Sequence, residues 1–241
     1  MKLPQKIIPL ALLFLCVLTA MGQRRSKAAV PRDAIGVVID ERLSVLRDRP
    51  SLFGKPVQRM RVGRRVQIYG TAEGDGVRFY KVVSSGRTGW LQTDAVINRS
   101  VPDDETRLAR LIQASDGFSQ VELSFEFLRI FPTSRLRPAM LLLLGDILEQ
   151  AAVKISRDTS SRLDRREMAV SGAPIHSFYL NSRLLDRYRR LGVTFLFDAK
   201  NRKFHYDGAS WREIVRRYPD SNEAVEAKKR LDSIVKEFPG Q

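Results

Sequence analysis

Side chains that could perform catalysis are scarce in this chain of 241 residues. It contains two histidines, His176 and His205, and one cysteine, Cys16. Nucleophilic catalysis needs a Ser or Cys beside a base, and neither histidine stands in such a motif. The aspartates near His205 are spaced as turn residues, and no glycine-rich phosphate loop is present. We therefore expect no enzymatic activity, no metal and no cofactor.

Aromatic and basic side chains indicate binding instead. Arg47 and Arg87 lie close in sequence to Tyr69, Tyr80 and Trp90. Rings offer stacking faces, and guanidinium groups bind carboxylates through paired hydrogen bonds. These five residues are the candidate ligand-binding set for a glycan or a peptide carboxylate. In the alternative interpretation, one ring of the pair at positions 79 and 80 and much of Trp90 are core.

A second basic group occurs later in the chain. From it we select Arg187, Arg190, Arg202 and Lys203 as candidates for a partner surface, with a solvated helix face as the alternative. The net charge of +15 is evenly spread, with 6 basic against 1 acidic residue before Ala34, 11 against 6 over residues 34–98, and 25 against 20 thereafter. An even bias favours an anionic envelope polymer or a membrane surface over nucleic acid, which is bound by a localised basic stripe.

Residues 1–22 have the pattern of a signal peptide. Lys2 and Lys6 precede an apolar run of about a dozen residues, and small residues precede Gln23 at the minus-three and minus-one positions. A membrane anchor, the alternative, needs about 20 apolar residues. We expect cleavage before Gln23, a flexible lead-in over residues 23–33, and export to the periplasm or the cell exterior, away from nucleic acid.

Residues 34–98 alternate with period two. Short runs rich in β-branched and aromatic residues are separated by turn residues such as Gly63 and Gly86. Roughly five or six strands of this length predict a small β-barrel, because a short twisted sheet hides its edges best by closing.

This segment resembles the bacterial SH3-like domain. The stretch from Leu43 to Arg47 resembles its first hairpin, Val62 to Val66 its glycine turn, and Phe79 to Val82 with Thr88-Gly89-Trp90 its ending. The resemblance implies a barrel that binds cell-wall peptide or a protein segment. The chain departs from the pattern in two ways. Leu46 is inserted before Arg47, which predicts a differently shaped first loop, and Tyr80 stands where Trp is usual.

Residues 99–241 have helical periodicity. Acidic residues at positions 103–105 suit the first turn of a helix, and a second helix ends at Pro132. A third helix carries an apolar stripe through Leu141, Leu144 and Leu148 and is expected to be central. We expect its acidic residues Asp146 and Glu149 to turn away from the core.

Two helix junctions repeat each other. Residues 127–134 align with residues 214–221, each with an aromatic, a proline and then a serine. The second junction resembles that of tetratricopeptide-like repeats, which implies a protein-binding helical domain. The spacing of the two junctions predicts an insertion around residues 158–208, with a β-hairpin in its second half. Such a hairpin either caps the helical stack or lines a binding surface.

These observations predict an α+β chain of several domains. A small SH3-like barrel over residues 34–98 precedes a tetratricopeptide-like helical domain over residues 99–241 with an inserted hairpin. We expect an exported, non-enzymatic binding or scaffold protein of the bacterial envelope, with cell-wall peptide or an envelope protein as partner. The alternative is an accessory or regulatory subunit of an envelope enzyme or secretion complex, with a purely structural barrel.

Overall fold

A computed structural model describes residues 34–163 and 165–237. A β-sheet region comes first and a helical region follows, as expected for an α+β chain. The predicted signal peptide, its cleavage site and the lead-in lie outside the described residues. No helix in the described ranges is long and apolar enough to cross a membrane.

Seven strands form the sheet of the first region. They are β1 Ala34–Val38, β2 Val45–Arg47, β3 Pro56–Arg59, β4 Arg65–Gly74, β5 Val77–Ser84, β6 Arg87–Gln92 and β7 Val96–Asn98. The spatial order is β3-β2-β6-β5-β4-β1-β7, with antiparallel pairing throughout. Residues from six of the strands meet in one apolar cluster, among them Leu46, Ile68 and Leu91. The sheet therefore curls around its own core.

The second region is mainly helical, with one small sheet. Its elements are α1 Asp104–Gln113, α2 Gly117–Ile130, α3 Arg137–Arg162, α4 Arg165–Ser171, α5 Ile175–Leu180, α6 Asp186–Arg189, β8 Phe195–Asp198, β9 Lys203–Tyr206, α7 Ala209–Arg217 and α8 Asn222–Glu237. Helix α3 packs against α2, α7, α8 and β9, which confirms its predicted central position. Its buried side chains join those of α7 and α8 in the main helical core.

Asp146 and Glu149 of α3 lie outside the apolar core, as predicted, but they are half-buried and bonded to neighbouring elements. Asp146 accepts hydrogen bonds from Arg230 of α8 at 2.6 and 3.1 Å. Glu149 accepts the Tyr206 N–H at 2.8 Å and lies 3.0 Å from His205 Nδ1. Both carboxylates thus tie neighbouring elements to α3.

The predicted hairpin is β8 and β9, joined by a turn that Asp198 organises. Its carboxylate accepts the N–H groups of Lys200 and Asn201 at 2.9 and 3.1 Å. On the side of β9 away from β8, the backbone N–H of Phe204 donates to Ser156 Oγ of α3 at 2.7 Å. With the bond from Tyr206 to Glu149, two side chains of α3 satisfy the open edge of the hairpin.

The polar sequence between the two regions does not separate two independent bodies. Ile39 and Ile97 of the sheet region share one apolar cluster with Leu108 and Ile112 of α1 and Phe127 of α2. The turn at Gly63 also contacts helix α2. Gly63 has φ of 80°, and a Cβ there would lie 2.8 Å from Glu126 Oε1 of α2.

A buried carboxylate reinforces this junction. Asp104 Oδ2 accepts the backbone N–H of Asn98 at 2.6 Å, and Oδ1 accepts Arg107 Nε at 3.1 Å. Arg107 also donates to the carbonyls of Asp94 and Val96. Burial raises the pKa of Asp104 above the ordinary value of 3.8, although these hydrogen bonds act in the opposite direction. The predicted first-turn aspartate therefore connects the last strand of the sheet to α1.

The two repeated junctions adopt similar turns. Phe131 and Tyr218 both leave helical geometry, and each donates its N–H to the carbonyl four residues earlier, at 2.9 and 2.8 Å. Ser221 then caps α8, since its Oγ accepts the N–H of Ala224 at 3.2 Å. The likeness supports a local repeat, whereas the tetratricopeptide-like assignment stays a prediction.

Replacing this cap should weaken the last helix. Ser221→Ala removes the acceptor for the Ala224 N–H, and we expect a loss of about 1 kcal/mol in the free energy of unfolding. Urea denaturation followed by circular dichroism measures it. Ser233→Ala is the matched control, because Ser233 lies on the exposed face of α8 and donates only to the Lys229 carbonyl. Equal stability of the two variants would contradict the capping role.

Candidate binding face of the barrel

The Thr88-Gly89-Trp90 motif lies where β2 pairs with β6. A Cβ at Gly89 would lie 2.6 Å from the Arg47 carbonyl oxygen and 2.8 Å from Leu46 Cγ. Only glycine permits this close approach. In this pairing Arg47 lies opposite Trp90. A β-bulge falls between Leu46 and Arg47, where Leu46 is inserted relative to the usual pattern.

Cross-strand pairing assembles a row of side chains on the outer face of the sheet. Trp90 pairs with Arg47 on one side and with Lys81 of β5 on the other. Lys81 in turn lies opposite Gly70, next to Tyr69 in a bulge of β4. Side chains at paired positions point to the same side of a sheet. Three of the five candidate residues, Tyr69, Trp90 and Arg47, therefore lie in one row. Lys81, which was not a candidate, completes this row, which we call the outer row.

The outer row is open to ligands. Tyr69 is 44% exposed, Trp90 is half-buried and Lys81 is exposed. Within the described residues, Lys81 has no ion-pair partner. An aromatic surface beside an unpaired cation suits a ligand with an apolar group next to a carboxylate.

The other two candidates do not belong to the outer row. Tyr80 is 6% exposed and packs in the barrel core, so the prediction that its ring stacks on a ligand was wrong. Burial raises the pKa of its hydroxyl, and the nearby Asp104 acts in the same direction. Arg87 lies opposite Ser84 at the end of the β5–β6 hairpin, on the other side of the sheet by alternation, and its guanidinium is 3.4 Å from the Val57 carbonyl oxygen.

A loop beside the outer row presents a phenylalanine that the sequence patterns did not single out. Phe53, between β2 and β3, is 81% exposed. Asp75 accepts the hydroxyl of Ser51 at 2.6 Å and the N–H of Leu52 at 2.7 Å, and these bonds lower the pKa of Asp75. Arg47 donates to the Gly54 carbonyl at 2.8 Å, which joins the loop to the outer row. The loop is thus held in place while Phe53 remains in water.

The four partner-surface candidates fall on two elements. Arg187 of α6 lies over the rings of Phe118 and Tyr188, at 4.7 and 5.0 Å from their centroids, and Arg190 is exposed after the same helix. Arg202 in the hairpin turn and Lys203 at the start of β9 instead line a cavity beside α3. The structure brings only the second pair together at a concave surface.

The two histidines occupy different environments. His205 lies beside Glu149 at the foot of the hairpin, and His176 is exposed on α5. Across residues 34–163 and 165–237, no group of three or more His, Cys, Asp or Glu side chains is arranged to hold a metal ion.

Comparison with known protein families gives a match in the sheet region. The family model of the bacterial SH3 domain matches residues 43–96, which supports a bacterial SH3 domain in this part of the chain. The matched segment begins just before β2 and ends at the start of β7, and it contains the whole outer row. No curated protein and no solved structure matches the chain.

Proposed function

We propose that this chain is an exported, non-enzymatic binding protein of the bacterial cell envelope whose SH3 domain binds peptide through the outer row. A bacterial SH3 domain suggests a role in binding cell wall or protein. The peptide is that of the cell wall or a segment of an envelope protein, and the helical region offers a second surface to a protein partner.

The observation that carries the proposal is the alignment of Tyr69, Lys81, Trp90 and Arg47 across four strands. Trp90 supplies a half-buried ring at the centre, where interface residues contribute most to affinity. Lys81 supplies a charge for a carboxylate, and Arg47 keeps the Phe53 loop beside the row. Cell-wall peptides carry free carboxylates, so their charge is complementary to this face.

A structural role for the barrel is the second candidate. The apolar cluster that includes Ile39, Ile97 and Phe127 makes the barrel part of the support of α1 and α2. In that case the chain is an accessory or regulatory subunit of an envelope enzyme or secretion complex, and it docks through its helical region.

Sedimentation with purified peptidoglycan tests the proposal. We expect the wild-type chain to be retained, and Lys81→Glu and Tyr69→Ala each to weaken retention by about tenfold, as for residues that contribute substantially to an interface. Both side chains are exposed, so melting temperatures should change little. Trp90→Ala should abolish retention, but it needs the melting control because Trp90 is half-buried.

Lys228→Glu on the exposed face of α8 is the charge-matched control. It should bind as the wild type does. If the wild type is not retained at any salt concentration, cell-wall binding is wrong. If all three variants are retained equally, the outer row is not the site, and the structural role of the barrel is favoured.

A further inference from the structure

A cavity in the helical region has no part in the proposed role of the barrel. It has a volume of about 520 Å³ and lies between α3, the α4–α5 segment and the turn end of the β8–β9 hairpin. Ligand pockets commonly have volumes of about 300–1,000 Å³. The predicted insertion thus forms two sides of a concave site on the central helix.

One side of the cavity is apolar. Val153 and Leu163 come from α3 and its end, and Met168 and Ile175 come from α4 and α5. Val153 is 61% exposed, although it is an aliphatic residue in the middle of the longest described helix. An exposed aliphatic side chain beside three partly buried apolar ones in one concavity marks a site for apolar groups.

The floor of the cavity has its own hydrogen bonds and needs none from a ligand. Ser156 Oγ donates to the Ala152 carbonyl at 2.7 Å and accepts the Phe204 N–H. Ser160 Oγ lies 2.9 Å from the hydroxyl of Tyr179 and donates to the Ser156 carbonyl. A ligand therefore meets satisfied hydroxyls and apolar side chains there, so it gains from burying an apolar chain and not from polar contacts on the floor.

The opposite rim is cationic. Arg202 and Lys203 are exposed, and within the described ranges neither side chain has a hydrogen bond or an ion pair. Arg157 also lines the cavity. Its Nε lies 3.8 Å from Asp158 Oδ1, a long ion pair in which the Arg157 side chain stays 78% exposed. Arg202 and Lys203 on the hairpin and Arg157 on α3 make the mouth of the cavity positively charged, which favours an anionic ligand group.

The rim is also held in place. Arg202 has φ of 57° in the turn that Asp198 organises, and the next strand residues are bonded to α3 through Ser156 and Glu149. A rigid rim needs little ordering when a ligand binds, and affinity rises when such costs are small.

We propose that this cavity binds a single-chain anionic amphiphile, with the apolar chain against Val153 and Met168 and the anionic group on Arg202, Lys203 and Arg157. The anion is a carboxylate or a phosphate, as in a fatty acid or in the headgroup of a lipid with one chain. The site is independent of the outer row on the barrel.

Isothermal titration of the full chain tests this inference. The probes are dodecanoate and dodecyl phosphate, each below its critical micelle concentration, and dodecanol below its solubility limit. We expect at least one of the two anions to bind with one-to-one stoichiometry, and dodecanol to bind about tenfold more weakly, as expected when a hydrogen bond to a charged group is lost. A preference between the two anions identifies the headgroup.

Two pairs of variants locate the site. Val153→Trp fills the cavity and should weaken binding of the anion by about tenfold or more, whereas Val170→Trp, the same change at an exposed valine outside the lining, should not. The double variant Arg202→Ala, Lys203→Ala should weaken binding by about tenfold, whereas Lys200→Ala in the same turn should not. Absence of binding by both anions would overturn the inference, as would unchanged binding by Val153→Trp. Neither result bears on peptidoglycan retention.

Discussion

Gly145→Ala should lower the free energy of unfolding by about 3 kcal/mol, because the added methyl group has no room. Gly145 is buried in the middle of α3, facing α7. A Cβ there would overlap Trp211 Nε1 and Cε2 and lie 2.7 Å from Ser210 Oγ. Trp211 is 2% exposed and packs edge-on against Tyr206 with centroids 5.4 Å apart, so it cannot simply move aside.

A competing effect makes this prediction informative. Alanine is a better helix former than glycine by about 1 kcal/mol, so the substitution would stabilise α3 if space were available. Chemical denaturation followed by tryptophan fluorescence measures the balance. Gly70→Ala is the control, because no heavy atom lies within 4 Å of a Cβ at that position. A Gly145→Ala variant at least as stable as the wild type would contradict the close packing of α3 and α7.

Asp104→Ala should lower the free energy of unfolding by about 2–3 kcal/mol, because it leaves a buried donor without a partner. The Asn98 N–H loses its acceptor, and Arg107 loses its carboxylate. Asn98 is 1% exposed, so water cannot replace the lost bond without rearrangement of the junction. Asp104→Asn keeps an acceptor for the N–H and should cost less. Equal losses for the two variants would contradict this account.

The pH dependence of stability supplies a second measurement at Asp104. Burial raises the pKa of this carboxyl in the folded protein above 3.8, so the folded state binds the proton more tightly than the unfolded state. The stability of the wild type relative to Asp104→Asn should therefore fall as pH rises from 3.8 through the raised pKa. Urea denaturation of both proteins across acidic to neutral pH measures the difference. A difference that grows with pH would mean that the hydrogen bonds outweigh burial.

Local patterns predicted the elements well, since strands and helices leave periodic signals within a few residues. The period-two runs and turn residues located the sheet region, and the predicted hairpin appears at β8 and β9. Trp90 and Arg47 were selected as candidates by residue type. They are neighbours because β2 pairs with β6, where Gly89 allows the two strands to approach closely.

Long-range polar contacts were missed, because they leave no local signal. Glu149 on a helix with an apolar stripe looks like a solvated residue, and its partner Tyr206 is 57 residues away. From the alternation alone, Tyr80 could lie on either face of its strand. It is buried because its face lines the barrel core. Phe53 occurs in a loop rich in turn residues, and that loop is bonded to Asp75, which is 23 residues from Leu52.

The apolar cluster shared by the sheet and the first two helices has a consequence for how two ligands would be presented to each other. Since the barrel is packed onto α1 and α2, the outer row and the helical region are joined through a shared apolar cluster and not through a free linker. A flexible tether would let a second binding partner sample many positions, with an effective concentration set by tether length. Here that averaging is absent. A chain attached through its barrel would hold the helical region in one orientation, so that partners on a common support would be aligned and not merely concentrated.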